Sequence, residues 1–502
     1  MIPASSGATA KSDVTAPWPI VKFASIDLTR DELSRISRLT DELSLAEPDL
    51  RADWFRQKGV SADWKPGPTV YLEDHRGIEL ATEISAKSFE YRSLGLVSDG
   101  DFLVVSEPRN KVFENYVKKS FDIRTLTILG IPKRRVANAK RLGRACAREP
   151  DIMQILVEAA RKYGGLNIVP FMSTGDVWRL GCEIAHQSRQ AIRIAAPPPQ
   201  LAGRVNNKLW FATLVEKLVG RRGLPSTYEA YGLASAAATI RRLTHNAEQI
   251  VVKAPASAGG MGNLVFPCDV FEGLTLAEIG QALLNNLHSI GWRDHFPILL
   301  GVWEQNVITS PSVQIWAPLP KQGFPIIEGV FVQAISGDAG EFVGAEPADI
   351  PPPISEQLKS EAFQIACALQ RLGYFGRLSL DAVFVGDLLE EAEIHWVEAN
   401  ARWGGVSIPM TIANKVNAGA PNRNLLIVQK IAGSGRAEIM KLVTEELGAK
   451  LISLPENRRR GVLFLLPPES GHLLFSVIGL PADEAKALAN ETIKICKRFS
   501  EY

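Results

Sequence analysis

The rhythm of hydrophobic and polar positions changes along the chain. Between Leu28 and Leu45, the residues Leu33, Ile36, Leu39 and Leu43 recur close to every 3.6 positions, which predicts an amphipathic helix. From about Phe102 the texture becomes short β-branched runs ended by glycine or proline, at 102–108, 123–132, 166–172 and 191–199. Between them lie longer stretches with helical spacing, such as Ile152, Ile155, Leu156 and Ala159. Strands alternating with helices imply a parallel sheet covered on both faces. Pro197, Pro198 and Pro199 then stop regular structure and mark a boundary.

Beyond that boundary the spacing predicts a short helix from Lys208 to Leu218. Residues 224–230 read as a turn leading into an Ala-rich helix at 232–243. Residues 250–266 read as strand, Gly-rich loop and strand, and 298–334 as strand-rich. Ser355 is the expected N-cap of a helix whose apolar stripe is Leu358, Ala362, Ile365, Leu369 and Leu372, with Gly373 just past its end. Strands are expected at 377–385, 394–402, 461–468 and 472–480, before a terminal helix at 482–498. Five units follow: an N-terminal segment at 1–85 with no readable function, an α/β domain at 86–205, units at 206–297 and 298–430, and a small α+β segment at 431–502. The fold class is α/β (α+β). No internal repeat is visible.

Composition narrows the function classes. At roughly 150 residues per domain, 502 residues suggest about three domains. Apolar residues at 46% and charged residues at 22% fit a globular chain rather than a disordered one. Lys+Arg 56 against Asp+Glu 55 argues against a dedicated nucleic-acid or membrane-surface protein. A local stripe of Lys133, Arg134, Arg135, Lys140, Arg141, Arg144 and Arg148 reads better as a solvated helix face. No apolar run is long enough to span a bilayer, and the first residues lack an apolar core of signal-peptide type. Five scattered cysteines, never in C-x-x-C spacing, fit a reducing cytoplasm.

Two patterns carry chemistry. Alternation along Ile250, Val251, Val252 and Lys253 delivers the lysine to one face of a strand. Ser257, Gly259, Gly260 and Gly262 follow, ending at Asn263. Such a loop lets backbone N–H groups converge on an anion, with the lysine as a point charge on a phosphate. The plainer reading is a Gly-rich hairpin with a surface lysine. Neither a Walker loop nor a dinucleotide fingerprint is present. Secondly, Asp381 ends one strand segment, while Glu398 and Asn400 sit two apart on another and face the same way. Two carboxylates and an amide oxygen form an oxygen-only set suited to Mg²⁺. Arg402 continues that face, followed by Gly404 and Gly405. The alternative is two solvated strand ends. Arg377, four residues before Asp381, falls on the same strand face and is a candidate phosphate contact by periodicity. Arg179, Glu183 and His186 are a weaker pocket candidate than an ordinary polar helix face. Trp303, Trp316 and Trp403 are candidates to frame a cleft, although tryptophans more often pack.

Together, KAPASAGGMGN (253–263), Asp381 and EANARWGG (398–405) resemble the ATP-grasp superfamily of ligases, over roughly residues 200–410. The preceding α/β segment, ending in Asn206, Asn207, Lys208, Leu209 and Trp210, resembles the pre-ATP-grasp domain. Peptide ligases of the pheganomycin type are the subgroup suggested. The resemblance implies an ATP-grasp fold preceded by a parallel-sheet pre-ATP-grasp domain. It implies that Lys208 and Lys253 bind nucleotide, with Ser257 to Gly262 as a phosphate-covering loop. Residues 299–307 take the place of the adenine-reading hinge, with Glu304 as the adenine/ribose residue. Asp381, Glu398 and Asn400 match metal ligands, and Arg402 the arginine that supports an acyl-phosphate stage. Gly404 and Gly405 are expected to offer backbone donors to an oxyanion.

The activity implied is ATP-dependent carboxylate–amine ligation through an acyl-phosphate, with ATP and two Mg²⁺ ions as cofactors and Mn²⁺ as an alternative. Amino acids or peptides are the expected small-molecule partners, neither nucleic acid nor membrane is, and a homodimer is one open arrangement. A grasp-type kinase and a non-catalytic nucleotide-binding regulator are the rival readings.

Overall fold

The computed structural model describes residues 16–500, apart from 24–25, 52–54, 79–82, 254–262, 294, 338–339, 420–423, 432–438 and 469–470. Three sheets organise it. The first has six parallel strands in the order Val60–Ala62, Ile192–Ile194, Leu166–Pro170, Thr69–Leu72, Phe102–Ser106 and Thr127–Ile131. Leu103 and Val105 enter one apolar cluster while Phe102 and Val104 enter another, so both faces of this sheet are covered as the alternating pattern requires.

The second sheet is antiparallel, in the order Thr227–Ala230, Ile298–Val302, Gln249–Lys253, Asn263–Pro267. The third has nine strands, and its central pairs hold the chemistry. Pro311–Ala317 pairs with Gly376–Val385, which pairs on its other edge with Glu393–Asn400. Among the described residues, no helix is long and apolar enough to cross a membrane.

Several expectations shift. Residues 227–230, read as a turn, form an edge strand, because Tyr228 and Glu229 pair with Leu300 and Leu299. The run at 123–132 becomes extended only from Thr127, where pairing with Phe102 begins. The helix of the Leu358 stripe begins at Pro352 rather than after Ser355. Proline costs nothing in a first turn whose N–H groups have no helical acceptor, and Gly373 ends the helix with φ +100°.

Sheet membership also moves the expected boundaries. Val60–Ala62 and Thr69–Leu72 belong to the first sheet, although they precede residue 86. Ile298–Val302 closes the second sheet rather than opening the third. Gly461–Phe464 and His472–Ile478 extend the third sheet through Leu425–Ile431, so the last segment is continuous with it. These pairings join segments distant in sequence, which local patterning does not register.

The N-terminal helix Arg30–Ala46 forms where Thr29 and Glu32 make a capping box. It packs on Pro352–Arg371, where Arg35 donates to Gln364 at 2.7 Å and Gln364 to Glu32 at 2.9 Å.

Candidate active site

The Glu398 strand is irregular where it matters. Asp381 pairs with Glu398 but Ala382 pairs with Trp396, leaving Val397 as an extra residue. The bulge reverses the alternation, so Trp396 is buried and donates to Glu361 at 2.9 Å while Glu398 turns into the cleft. Glu398 and Asn400 then share a face, as their spacing predicted. Asn400 Nδ2 lies 3.4 Å from Glu398 Oε1 and 2.8 Å from Asp381 Oδ2. Ser312 Oγ donates to Asp381 Oδ1 at 2.5 Å, and Gln314 donates to Ser312 at 2.8 Å.

The segment Asn206-Asn207-Lys208 locks this strand end from outside the sheet. Asn206 Oδ1 accepts from the Ala401 backbone at 2.9 Å and from Arg402 Nη1 at 2.7 Å. Asn207 caps the helix Lys208–Leu218, and Lys208 Nζ reaches Glu398 Oε2 at 2.9 Å. Burial alone would raise the Glu398 carboxyl, but Lys208 and Arg402, with hydrogen bonds from Lys208 and Asn400, hold it below the usual range. Asp381 moves the other way. Burial and the neighbouring Glu398 charge push its carboxyl up, against hydrogen bonds from Ser312 and Gln333.

Two cavities meet at this pair. One, about 390 Å³, lies between the second and third sheets and is lined by Lys208, Lys253, Asn263, Trp303, Glu304, Asp381 and Glu398, among others. Burial and the Lys208 charge lower Lys253 to about 8, opposed by Glu398 and Glu304. Glu304 follows Ile298–Val302 in the link between the two sheets, and His395 Nδ1 holds its carboxylate at 3.0 Å. The second cavity, about 320 Å³, takes Arg402, Trp403, Gly404 and Gly405 together with His75, Phe89, Arg92 and Phe171 of the first domain. Gln333, Phe342, Asp381 and Glu398 line both cavities.

A hard cation fits the carboxylate pair. Two partly buried carboxylates stand opposite each other across adjacent strands, one held up towards its protonated form. The buried Gln314 Oε1 beside them has no partner among the described residues. Among the described residues, no three His, Cys, Asp or Glu side chains converge as a metal cage. The two carboxylates are instead a partial set that Mg²⁺ completes with phosphate and water, with Asn400 turning its Nδ2 rather than its oxygen towards them.

Of the sequence candidates, Lys208, Lys253, Asn263, Glu304, Asp381, Glu398, Asn400, Arg402, Gly404 and Gly405 all line the two cavities. Ser257, Gly259, Gly260 and Gly262 lie outside the described residues. Arg377 does not reach a phosphate position. It shares the strand face of Asp381, but Thr411 and the rings of Trp18, Trp316 and Trp403 cover that end, and Glu328 pairs with it in full burial. Gly404 is not a spare backbone donor either, because its N–H donates to Ser407 Oγ at 2.7 Å. Trp316 is buried in the core, whereas Trp303 and Trp403 do face the cavities. In the basic stripe, Arg135 pairs with Glu149 at 3.0 Å and Arg144 with Asp176 at 2.9 Å. Arg179, Glu183 and His186 are exposed along one helix. Sequence reading missed Asn206, Ser312, Gln314 and Gln333, as well as His75, Arg92, Lys430 and His472. Only the run Asn206-Asn207-Lys208 left a visible trace.

This is the ATP-grasp fold, preceded by a pre-ATP-grasp domain. Residues 90–185 match the family model of the Pre ATP-grasp domain. The ADP complex of PurK, an N5-carboxyaminoimidazole ribonucleotide synthetase, superposes with a TM-score of 0.52 at 13% identity, covering 88% of this chain and all of that one. The biotin carboxylase of Campylobacter jejuni, in a β,γ-ATP complex, gives 0.51 at 12% identity over 86% of this chain and 95% of its own. An N5-carboxyaminoimidazole synthase of Aspergillus clavatus, bound to ADP and 5-aminoimidazole ribonucleotide, gives 0.51 at 11% over 86% and 99%. No curated protein matches the sequence.

Proposed function

We propose that this chain is an ATP-dependent carboxylate–amine ligase, joining the carboxylate of an amino acid or peptide to an amine through an acyl-phosphate and releasing ADP and phosphate. One observation carries the reading: a cavity suited to a nucleotide and a separate cavity suited to an acceptor share the wall made by Asp381 and Glu398.

Lys253 and Lys208 offset phosphate charge in the first cavity. Glu304, steadied by His395, is positioned for the ribose, and Trp303 forms an apolar wall. Asp381, Glu398 and Asn400 are the residues to hold Mg²⁺, two ions in the fullest case and Mn²⁺ as an alternative. Bound there, the metal supplies neutralisation of the β- and γ-phosphate charge and alignment of the transferred group.

A carboxylate resists attack because its charge is delocalised and its oxygen leaves poorly, so it is first phosphorylated. In the second cavity Arg402, held by Asn206, donates to the oxyanion that forms when the amine adds to the acyl carbon. Phe89, Phe171, Phe342 and Trp403 line that cavity with apolar surface, which keeps water from a reactive anhydride.

The test is ADP release with Mg²⁺, with and without pools of amino acids and dipeptides. Acid- and amine-dependent ADP with an amide product supports the ligase. A stable phosphorylated product makes the chain a kinase, and nucleotide binding with no substrate-dependent turnover makes it a regulator.

A further inference from the structure

We propose that His75, oriented by Glu73, is the general base that takes the proton from the attacking amine. The proposal rests on the ligase reading and adds a residue from the first domain to its chemistry.

An amine substrate is mostly an ammonium ion at neutral pH and has no lone pair until it loses a proton. A group in the acceptor cavity with a suitable basicity must collect that proton. Of the carboxylates lining this cavity, Glu398 is engaged by Lys208 and Asp381 by Ser312 and Asn400, while Glu341 is exposed to solvent. His75 lines the same cavity from the first domain. Its ring is stacked between Phe171, at 3.9 Å between centroids, and Phe89, at 4.7 Å, so its plane is fixed.

His75 Nε2 lies 2.9 Å from Glu73 Oε1 and 3.4 Å from Arg92 Nη2. The shorter contact is to a group that only accepts, so Nε2 carries the proton and Nδ1 keeps the lone pair. Burial, helped by the Arg92 charge, holds the imidazole below its ordinary value, against its hydrogen bond to the Glu73 carboxylate, and so favours the neutral ring. The wall also sits beside the oxyanion donor. Phe171 O accepts from the Trp403 backbone at 2.9 Å, and Met172 bridges to Arg402.

The step balances simply. The ammonium gives one proton to His75 Nδ1, and the freed amine attacks the acyl-phosphate carbon. The C–N bond forms, the C–O bond to phosphate breaks, and the leaving phosphate takes the electron pair. The attacking nitrogen still carries one proton too many in the tetrahedral adduct and gives it to the leaving phosphate, while the imidazolium returns the first proton to water.

Hydroxylamine separates this role from a structural one, since it is an unprotonated nucleophile at neutral pH and needs no base. Wild type, His75→Gln, His75→Phe (which keeps the aromatic stack) and His472→Gln are each given ATP, Mg²⁺ and the full set of proteinogenic amino acids. Amide and, with added hydroxylamine, hydroxamate are then quantified. The expected result is a loss of amide formation of about 10²–10⁴-fold in both His75 variants. Their hydroxamate yield falls far less, and their affinity for an ATP analogue shows that the fold persists. Equal loss of both products, loss of neither, or a split seen only in His472→Gln overturns the proposal. Absence of both products in wild type would overturn the ligase reading itself and this inference with it.

Discussion

Lys208 Nζ lies 2.9 Å from Glu398 Oε2, so the first turn of a mid-chain helix closes directly onto the carboxylate strand. The pairing has two consequences. It keeps Glu398 ionised despite partial burial, and it puts two lysines in one cavity, where the Lys208 charge helps to lower Lys253.

Replacing Glu398 with Gln removes one of two opposed carboxylates and leaves Lys208 facing an amide. We expect turnover to fall by at least about 10²-fold, the scale on which single electrostatic groups act in such sites. Steady-state ADP release measures this, with the thermal midpoint as the folding control. Near-normal turnover would remove Glu398 from the metal set.

Lys253→Ala should weaken binding of a non-hydrolysable ATP analogue by roughly tenfold to a hundredfold, the worth of about 1.4–2.8 kcal/mol. Titration calorimetry reads it directly, and an unchanged affinity counts against the nucleotide assignment.

The same lysine predicts a pH dependence in the unmodified protein. Burial and the Lys208 charge lower its ammonium to about 8, whereas a bound phosphate would favour the charged form. Nucleotide binding should therefore take up a proton, and affinity should fall as pH rises through about 8. Calorimetry in buffers of different ionisation enthalpy would show that uptake, and its absence near pH 8–9 would refute the assignment.

Arg402→Ala should reduce kcat by about 10²–10³-fold with a much smaller change in ATP affinity. Asn206→Ala, which frees the Arg402 side chain without removing it, should give a weaker version of the same pattern. A loss confined to ATP affinity would make Arg402 a nucleotide-positioning residue.

Arg377 gives the contrary case. Arg377→Met leaves Glu328 buried without its partner, and we expect about 3–5 kcal/mol of destabilisation in urea unfolding. The double change Arg377→Met, Glu328→Leu should recover much of that loss. Full stability with weakened ATP binding in the single variant would restore the phosphate role that periodicity suggested.

The comparison of Arg377 with Asp381 shows where sequence reading stops. Alternation correctly places both on one face of Gly376–Val385, but alternation does not say what covers each end. Thr411 and three tryptophans close one end, and the cavities open at the other. Likewise Gly404 was legible as a loop glycine, yet its N–H is committed to a serine three residues on.

From residue order alone came the alternating strand–helix domain, the lysine ahead of a glycine-rich loop, and the paired spacing of Glu398 and Asn400. All are local, set by periods of two and 3.6 and by the conformational freedom of glycine. The tertiary structure decided that His75 and Arg92 of the first sheet's domain and His472 of a late strand share a cavity with Arg402. It also decided that a bulge at Val397 turns Glu398 inward, and that Asn206 holds the arginine. Those outcomes depend on which distant surfaces pack together and on burial shifting the charges there, and neither quantity is carried by neighbouring residues in the chain.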